Sequence, residues 1–175
     1  MNEQQLIDGC RKGNRLAQKE LYDTYSRKMM GVCLRYASDK ETARDILQDG
    51  FIKVFTSIGS FSGAGSFEGW MRKIFINCAL ELLRKSDVLR DAVELDYKSE
   101  TSGSGYSVIS DISANELMKM VQGLPAGFRT IFNMFAIEGF SHKEISETLG
   151  ITESTSRSQY TRAKQLLQRK MKDLL

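Results

Sequence analysis

The stretch that most restricts this chain is residues 140–167, where two short amphipathic segments meet at a glycine. Ser141 followed by Glu144 forms a capping box, and Phe140 and Ile145 hold the two positions of a hydrophobic staple, so a helix is predicted to start at His142. Ile145 and Leu149 share one face of it, and Gly150 supplies the left-handed residue that ends it. Ile151 plugs the corner, Thr152 can cap, and a second helix is predicted from Glu153. Two helices joined by a short turn containing glycine make a helix-turn-helix, whose second helix can enter the major groove of DNA. The plainer alternative is a helical hairpin with a solvated basic face.

The second helix carries two chemistries. Tyr160, Ala163 and Leu167 recur at helical spacing and should pack inward, while Arg157, Ser158, Thr161 and Arg162 lie together on the other side. No acidic residue occurs between Arg157 and Lys172, and Lys164, Arg169 and Lys170 add positive charge. Arginine can fork to guanine, and serine or threonine can bond bases or phosphates.

Composition sets limits on partners and location. A formal net charge of +3 permits nucleic-acid binding without requiring it. No apolar run reaches the roughly 18 residues of a membrane span, and the polar Met1–Gln5 start does not read as a signal peptide. Cys10, Cys33 and Cys78 are an odd, widely spaced set without a CxxC, which fits reduced thiols serving as small core residues in a cytoplasmic protein. A zinc site joining them with His142 lacks the usual ligand spacing. There is no P-loop and no nucleophile motif, and His142 is the single histidine, read here as a solvated or phosphate-facing residue. No catalytic residue, metal or cofactor is therefore expected.

One proline and few alternating β-branched runs predict an all-α chain. After the cap Asn14, residues Ala17, Leu21, Tyr25, Met29 and Cys33 step along a helix. Asp39 can cap the next, with Ala43, Ile46, Leu47, Phe51, Val54, Phe55 and Ile58 on it. A Gly/Ser stretch, Gly59 to Ser66, interrupts. Ser66 then opens a third long helix through Phe67, Trp70, Met71, Ile74, Cys78 and Leu82. From Asp87 to Ile112 the pattern dissolves: Asp87, Asp91, Glu94, Asp96, Glu100 and Asp111 outnumber Arg90 and Lys98 around a Ser/Gly centre. Such a segment buries too little apolar area to offset its ordering entropy, which predicts a flexible acidic linker over 87–112. Ser113 and Glu116 form a second capping box, Pro125 opens another helix, and Phe128, Ile131, Phe132 and Phe135 form its face. The expected organisation is two helical domains, 1–86 and 113–175, the second holding the helix-turn-helix.

Two further runs make the pattern specific. They are Ala43-Arg44-Asp45-Ile46-Leu47-Gln48-Asp49-Gly50-Phe51-Ile52-Lys53-Val54-Phe55 and Ser66-Phe67-Glu68-Gly69-Trp70-Met71-Arg72-Lys73-Ile74-Phe75-Ile76-Asn77. With Leu124-Pro125, Glu138-Gly139-Phe140-Ser141 and the helix-turn-helix, in this order, the chain resembles bacterial RNA polymerase sigma factors of the two-domain extracytoplasmic-function class. Three positions depart from that family. Ser156 stands where an apolar residue is usual, which predicts a looser corner. Gln159 occupies a frequently basic position, and Gly69 weakens the first turn of its helix.

The resemblance implies a division of labour. The helix equivalent to 40–57 would dock on core RNA polymerase, with Asp45, Gln48, Asp49 and Lys53 as polar contacts; by themselves these residues fit a solvated face equally well. The loop equivalent to 59–66 would capture an unpaired base of the −10 element, using Phe61 and Ser62 with Arg72, Lys73 and Asn77, while Phe67 and Trp70 read as core or stacking surface. Arg157, Ser158, Thr161, Arg162 and Lys164 would read the duplex −35 element. An anti-sigma factor is the implied regulator. Three phosphate contacts from Arg157, Arg162 and Lys164 would give a salt slope of only about −2.7, shallow for an autonomous binder and suited to a polymerase subunit. Two other classes stay open on the residues alone: a free-standing regulator with a sensing or dimerising N-terminal domain, and an enzyme with a DNA-binding appendage.

Overall fold

The computed structural model describes residues 1–85 and 113–174. The linker expected over 87–112 therefore lies outside the described residues. Among the described residues every regular element is helical, and none is long and apolar enough to cross a membrane. The chain divides into two compact units, residues 1–82 and 83–175.

The N-terminal unit contains α1 (Glu3–Arg11), α2 (Arg15–Tyr36), α3 (Lys40–Ser57) and α4 (Phe67–Lys85). The apolar pattern expected from the sequence begins only at α2, and α1 is an addition to it. Asn2 caps it, accepting from the Gln5 backbone N–H while the Gln5 side chain returns the bond to Asn2, a capping box that satisfies two end groups. Its Leu6, Ile7 and Cys10 face the core. Asn14 and Asp39 cap α2 and α3 as their positions predict. The core between the long helices holds Leu21, Met29, Ile46, Phe67, Met71 and Phe75. Gly50 lets α3 pack tightly on α4: a Cβ there would stand 2.2 Å from the Phe75 ring. Cys10, Cys33 and Cys78 are buried free thiols, and burial, with Cys78 nearby, pushes Cys33 up to about 12.

The C-terminal unit contains α5 (Ala114–Gln122), α6 (Ala126–Phe132), α7 (His142–Leu149) and α8 (Glu153–Asp173). Met120, Val121 and Leu124 pack on Ala163 and Leu167, with Phe128, Phe132, Leu166 and Met171 around them. Leu117, at the same spacing as Met120 and Leu124, is instead exposed. The helix carrying Phe135 is not uniform: α6 passes into a π-helical turn, Asn133–Ile137, closed by the Glu138 N–H on the Asn133 carbonyl. Such turns insert one extra residue and re-aim side chains. Here Phe135 meets His142 and Tyr160 rather than extending the α6 stripe. Arg129 is 4 % exposed and donates Nη1 to the Gln122 carbonyl at 2.9 Å and the Leu124 carbonyl at 3.4 Å. Lys170 donates to the neighbouring Gly123 carbonyl at 3.1 Å, so two cations close the C-terminal end of α5.

Candidate nucleic-acid interface

The helix-turn-helix forms with the caps its sequence predicts. Ser141 and Glu144 exchange their capping bonds, Gly150 adopts φ 68°, and Thr152 accepts from the Thr155 N–H at 3.1 Å. The Gly150 and Ile151 N–H groups both donate to the Ser146 carbonyl, which fixes the turn. Arg157, Ser158, Thr161 and Lys164 are exposed on α8. At about 100° per residue, Arg157, Thr161 and Lys164 run along one line with Ser158 beside it. Arg157 reaches Glu153 at 3.3 Å, and Lys164 Nζ lies 4.8 Å from the Tyr160 ring centre. The Ser158 and Thr161 hydroxyls turn back onto the Thr155 and Arg157 carbonyls. Arg162 is half-buried and about 140° round the helix from Arg157, on the flank of this face rather than in it.

The inner face corrects three readings. Ser156 does not loosen the corner: it is fully buried, and its Oγ shares a 2.8 Å hydrogen bond with His142 Nδ1. Gln159 is 1 % exposed, so it belongs to the core rather than to the exposed face of α8. His142 is not a freely solvated group. Its ring stacks on Phe135 at 4.2 Å, and desolvation, followed by the charge of Arg157, holds it below the ordinary imidazole range, with Glu153 opposing.

In the N-terminal unit the helical path breaks after α3. A short 3₁₀ turn, Ile58–Ser60, ends where the Phe61 N–H bonds the Ile58 carbonyl. Phe61 is 7 % exposed and packs on Phe67 (5.2 Å) and Trp70 (5.5 Å), which stack on each other at 5.6 Å. The Phe61 ring is thus a floor, and half-buried Trp70 is the more open aromatic. After it Ser62, Gly63, Ala64 and Gly65 are small and exposed, and Gly63 and Gly65 take positive φ of 81° and 85° that side chains disfavour. Ser66 caps α4 by accepting from the Gly69 N–H at 3.2 Å. This supports the turn that Gly69 weakens. Lys73 and Asn77 are exposed on α4, whereas Arg72 is half-buried and reaches Glu68 at 3.3 Å. Lys28 completes that cluster at 2.7 Å and, with Arg72, holds the Glu68 carboxyl below its usual range.

On α3, Asp45, Gln48, Asp49 and Lys53 are all exposed. Lys53 is tied to Glu81 at 2.6 Å, which raises its ammonium above the usual range. Beside this polar stripe runs an open groove of about 510 Å³ lined by Tyr22, Arg44, Leu47, Gln48, Phe51, Ile52 and Phe55. Ile52 is 55 % exposed at its edge. The resemblance points only to polar positions here. Ile52 followed Phe51 in an apolar pair that one helical face cannot bury, and that was the available signal.

Residues 21–88 match the family description "Sigma-70 region 2", and residues 114–167 match "Sigma-70, region 4". The chain belongs to the sigma-70 family. It is 27% identical over 184 residues to the RNA polymerase sigma-H factor of Pseudomonas aeruginosa, covering 99% of this chain and 95% of that one. It is 26% identical over 186 residues to the ECF RNA polymerase sigma-E factor of Haemophilus influenzae, covering 100% and 98%. The fold resembles the sigma factor RpoE of Bartonella quintana, solved in complex with the anti-sigma factor NepR: TM-score 0.54, 20% identity, covering 88% of this chain and 96% of that one. As an extracytoplasmic-function sigma factor, the protein directs promoter-specific initiation of transcription by RNA polymerase. Region 2 spans α2 to α4 and region 4 spans α5 to most of α8, while α1 precedes both.

Proposed function

We propose that the two units of this sigma factor divide promoter recognition. The outer face of α8 reads the duplex −35 element, with Arg157 aimed at base edges, Ser158 and Thr161 beside it, Lys164 on phosphate, and Arg162 on the flanking backbone. The loop Ser62–Gly65 receives an unpaired base of the −10 element over the Phe61 floor, with Trp70 as stacking surface. Asn77 contributes edge hydrogen bonds, and Arg72 and Lys73 neutralise the strand. Asp45, Gln48 and Asp49, with the groove beside them, dock core RNA polymerase. Lys53 serves that face while held by Glu81.

The observation that carries this reading is the loop: small exposed residues, two of them at positive φ, follow directly on the Phe61 ring in its cluster with Phe67 and Trp70, and exposed Lys73 and Asn77 stand on the helix that comes next. A core turn has no need of that combination. The factor works in the cytoplasm as an initiation subunit, and an anti-sigma protein controls it by covering the α3 face. The sigma factors RpoE and CnrH of similar fold, which were solved with the anti-sigma factor NepR and with the cytosolic domain of CnrY, support that regulator.

The test is a pull-down with core RNA polymerase followed by run-off transcription on a promoter library. Core binding and a defined pair of preferred elements are expected. Tight, sequence-specific duplex binding by the isolated chain would instead favour an autonomous regulator.

A further inference from the structure

The loop assigned to the −10 element is anchored from outside the matched family regions. Arg11 is the last residue of α1, ahead of the region 2 match that begins at residue 21. Its Nη2 donates to the Phe61 carbonyl at 2.6 Å, a contact spanning 50 residues of sequence. Asp8, one turn back on α1, receives the other guanidinium nitrogen at 3.2 Å and so orients the fork. Phe61 is the hinge of the loop: its N–H closes the 3₁₀ turn, its ring lies on Phe67 and Trp70, and its carbonyl begins the run to Ser62.

At the far end Ser66 is fixed by capping α4, and the Trp70 N–H bonds its carbonyl. Between these ends the loop has one internal hydrogen bond given by the structure, from the Ala64 N–H to Ser62 Oγ at 3.3 Å. A loop with Gly63 and Gly65 has a wide range of shapes unless its ends are held. Hydrogen bonds to a charged donor are the stronger kind, and this one is partly shielded from water. A base pocket discriminates only if its walls are already in place when the base arrives.

We infer that Arg11 is a positioning residue for −10 recognition: it fixes the Phe61 carbonyl and thereby the shape of the loop that selects the base. The inference rests on the −10 assignment proposed above. Arg11 does not touch the DNA; it acts through the Phe61 backbone. Removing it widens the range of loop shapes and lets wrong bases enter, with core docking and −35 reading left intact.

The experiment uses the full chain assembled with core polymerase and a template library varied only in the −10 element. Discrimination is the ratio of transcription on the preferred −10 sequence to that on single-base variants. Arg11→Ala is expected to lower that ratio about three- to tenfold, within what one lost charge-assisted bond can transmit. Arg11→Lys, whose ammonium can return to the same carbonyl, should recover most of it. Asp8→Asn should lower it less, in the same direction, without touching the Arg11 side chain. Unchanged discrimination in Arg11→Ala would overturn the inference, as would an equal fall on every −10 sequence or a loss that follows core binding. A variant with the 62–65 loop replaced separates the two levels. If that graft shifts the −10 preference while Arg11→Ala does not, this inference alone fails. If the graft leaves the preference unchanged, the −10 assignment fails and takes this inference with it.

Discussion

His142 Nδ1 and Ser156 Oγ lie 2.8 Å apart, joining the first residue of α7 to the first turn of the recognition helix across the turn that separates them. The serine is fully buried and the imidazole is stacked on Phe135, so the bond sits where water competes poorly. It ties α8 to α7 across the turn. The imidazole is held below its ordinary value of 6.5 by desolvation and by Arg157, partly offset by Glu153. Its place at a helix N-terminus disfavours the cation further. A depressed histidine value means that the unfolded chain binds the proton more readily. This contribution to stability is thus complete above about pH 6.5 and is lost as pH falls through the folded value. Urea unfolding between pH 5 and 8 should show it, with His142→Gln flattening the profile. An equally steep profile in that variant would remove His142 as the cause.

Gly50→Ala should destabilise the N-terminal unit. Alanine gains up to about 1 kcal/mol over glycine in a helix interior, while overpacking a tight core costs about 1–3 kcal/mol. The 2.2 Å approach to Phe75 decides the sign, because that ring is fully buried and has nowhere to move. Thermal melts of Gly50→Ala and of the double variant with Phe75→Leu make the check. The pair should lose less than the sum of the single changes.

Arg129→Met should destabilise the C-terminal unit by about 1–3 kcal/mol, the usual cost of leaving buried acceptors unsatisfied. The carbonyls of Gln122, the last residue of α5, and of Leu124 just beyond it lose this donor, although methionine fills much of the same volume. Burial lowers the proton affinity of this guanidinium, and the two carbonyl bonds offset part of the water it has lost. Chemical denaturation followed by hydrogen exchange at Gly123 and Leu124 would read both the size and the place of the loss.

These cases show which parts of the structure were legible beforehand. The caps at Asn14, Asp39, Ser113, Ser141 and Thr152 are local chemistry, and each stands where its residue and spacing place it. The helix-turn-helix followed from the same signals. The short α1 was missed although Asn2 and Gln5 carried a readable box, because its nine residues offer only two helical turns of apolar pattern. Gly50 and Arg129 owe their roles to partners that only the tertiary fold brings close. Ser156 and Gln159 were judged by polarity, and their hydroxyl and amide groups concealed an inward-facing register that Ala163 and Leu167 share. The apolar groove on α3 escapes for the opposite reason: the resemblance points to polar positions on that face, and Ile52, outside the buried stripe, stands exposed beside them.

Asn77→Ala should impair promoter opening more than duplex binding. The side chain is exposed on α4 together with Lys73, downstream of the loop and the Trp70 surface. Flipping a base costs a few kcal/mol, which edge hydrogen bonds and stacking must offset. A premelted bubble template removes part of that cost and should partly restore transcription. Permanganate footprinting on matched duplex and bubble templates makes the comparison. Equal loss on both would place Asn77 in the fold or the polymerase interface instead.

Arg157 and Arg162 should behave differently, although both are arginines of the recognition helix. Arg157 is exposed and in line with Thr161 and Lys164, and an exposed pair such as Arg157–Glu153 is worth at most about 1 kcal/mol, little to give up for a base. Arg157→Ala should cost about 1–3 kcal/mol on the preferred −35 sequence and relax the preference at one position. Arg162 stands on the flank, half-buried, and the proposed reading assigns it to the backbone of the duplex rather than to base edges. Arg162→Ala should weaken all −35 sequences alike and make the salt dependence shallower by about one ion. Holoenzyme binding to a −35 library at two salt concentrations distinguishes the two. A uniform loss from Arg157→Ala, or a relaxed position from Arg162→Ala, would reverse the assigned face of α8.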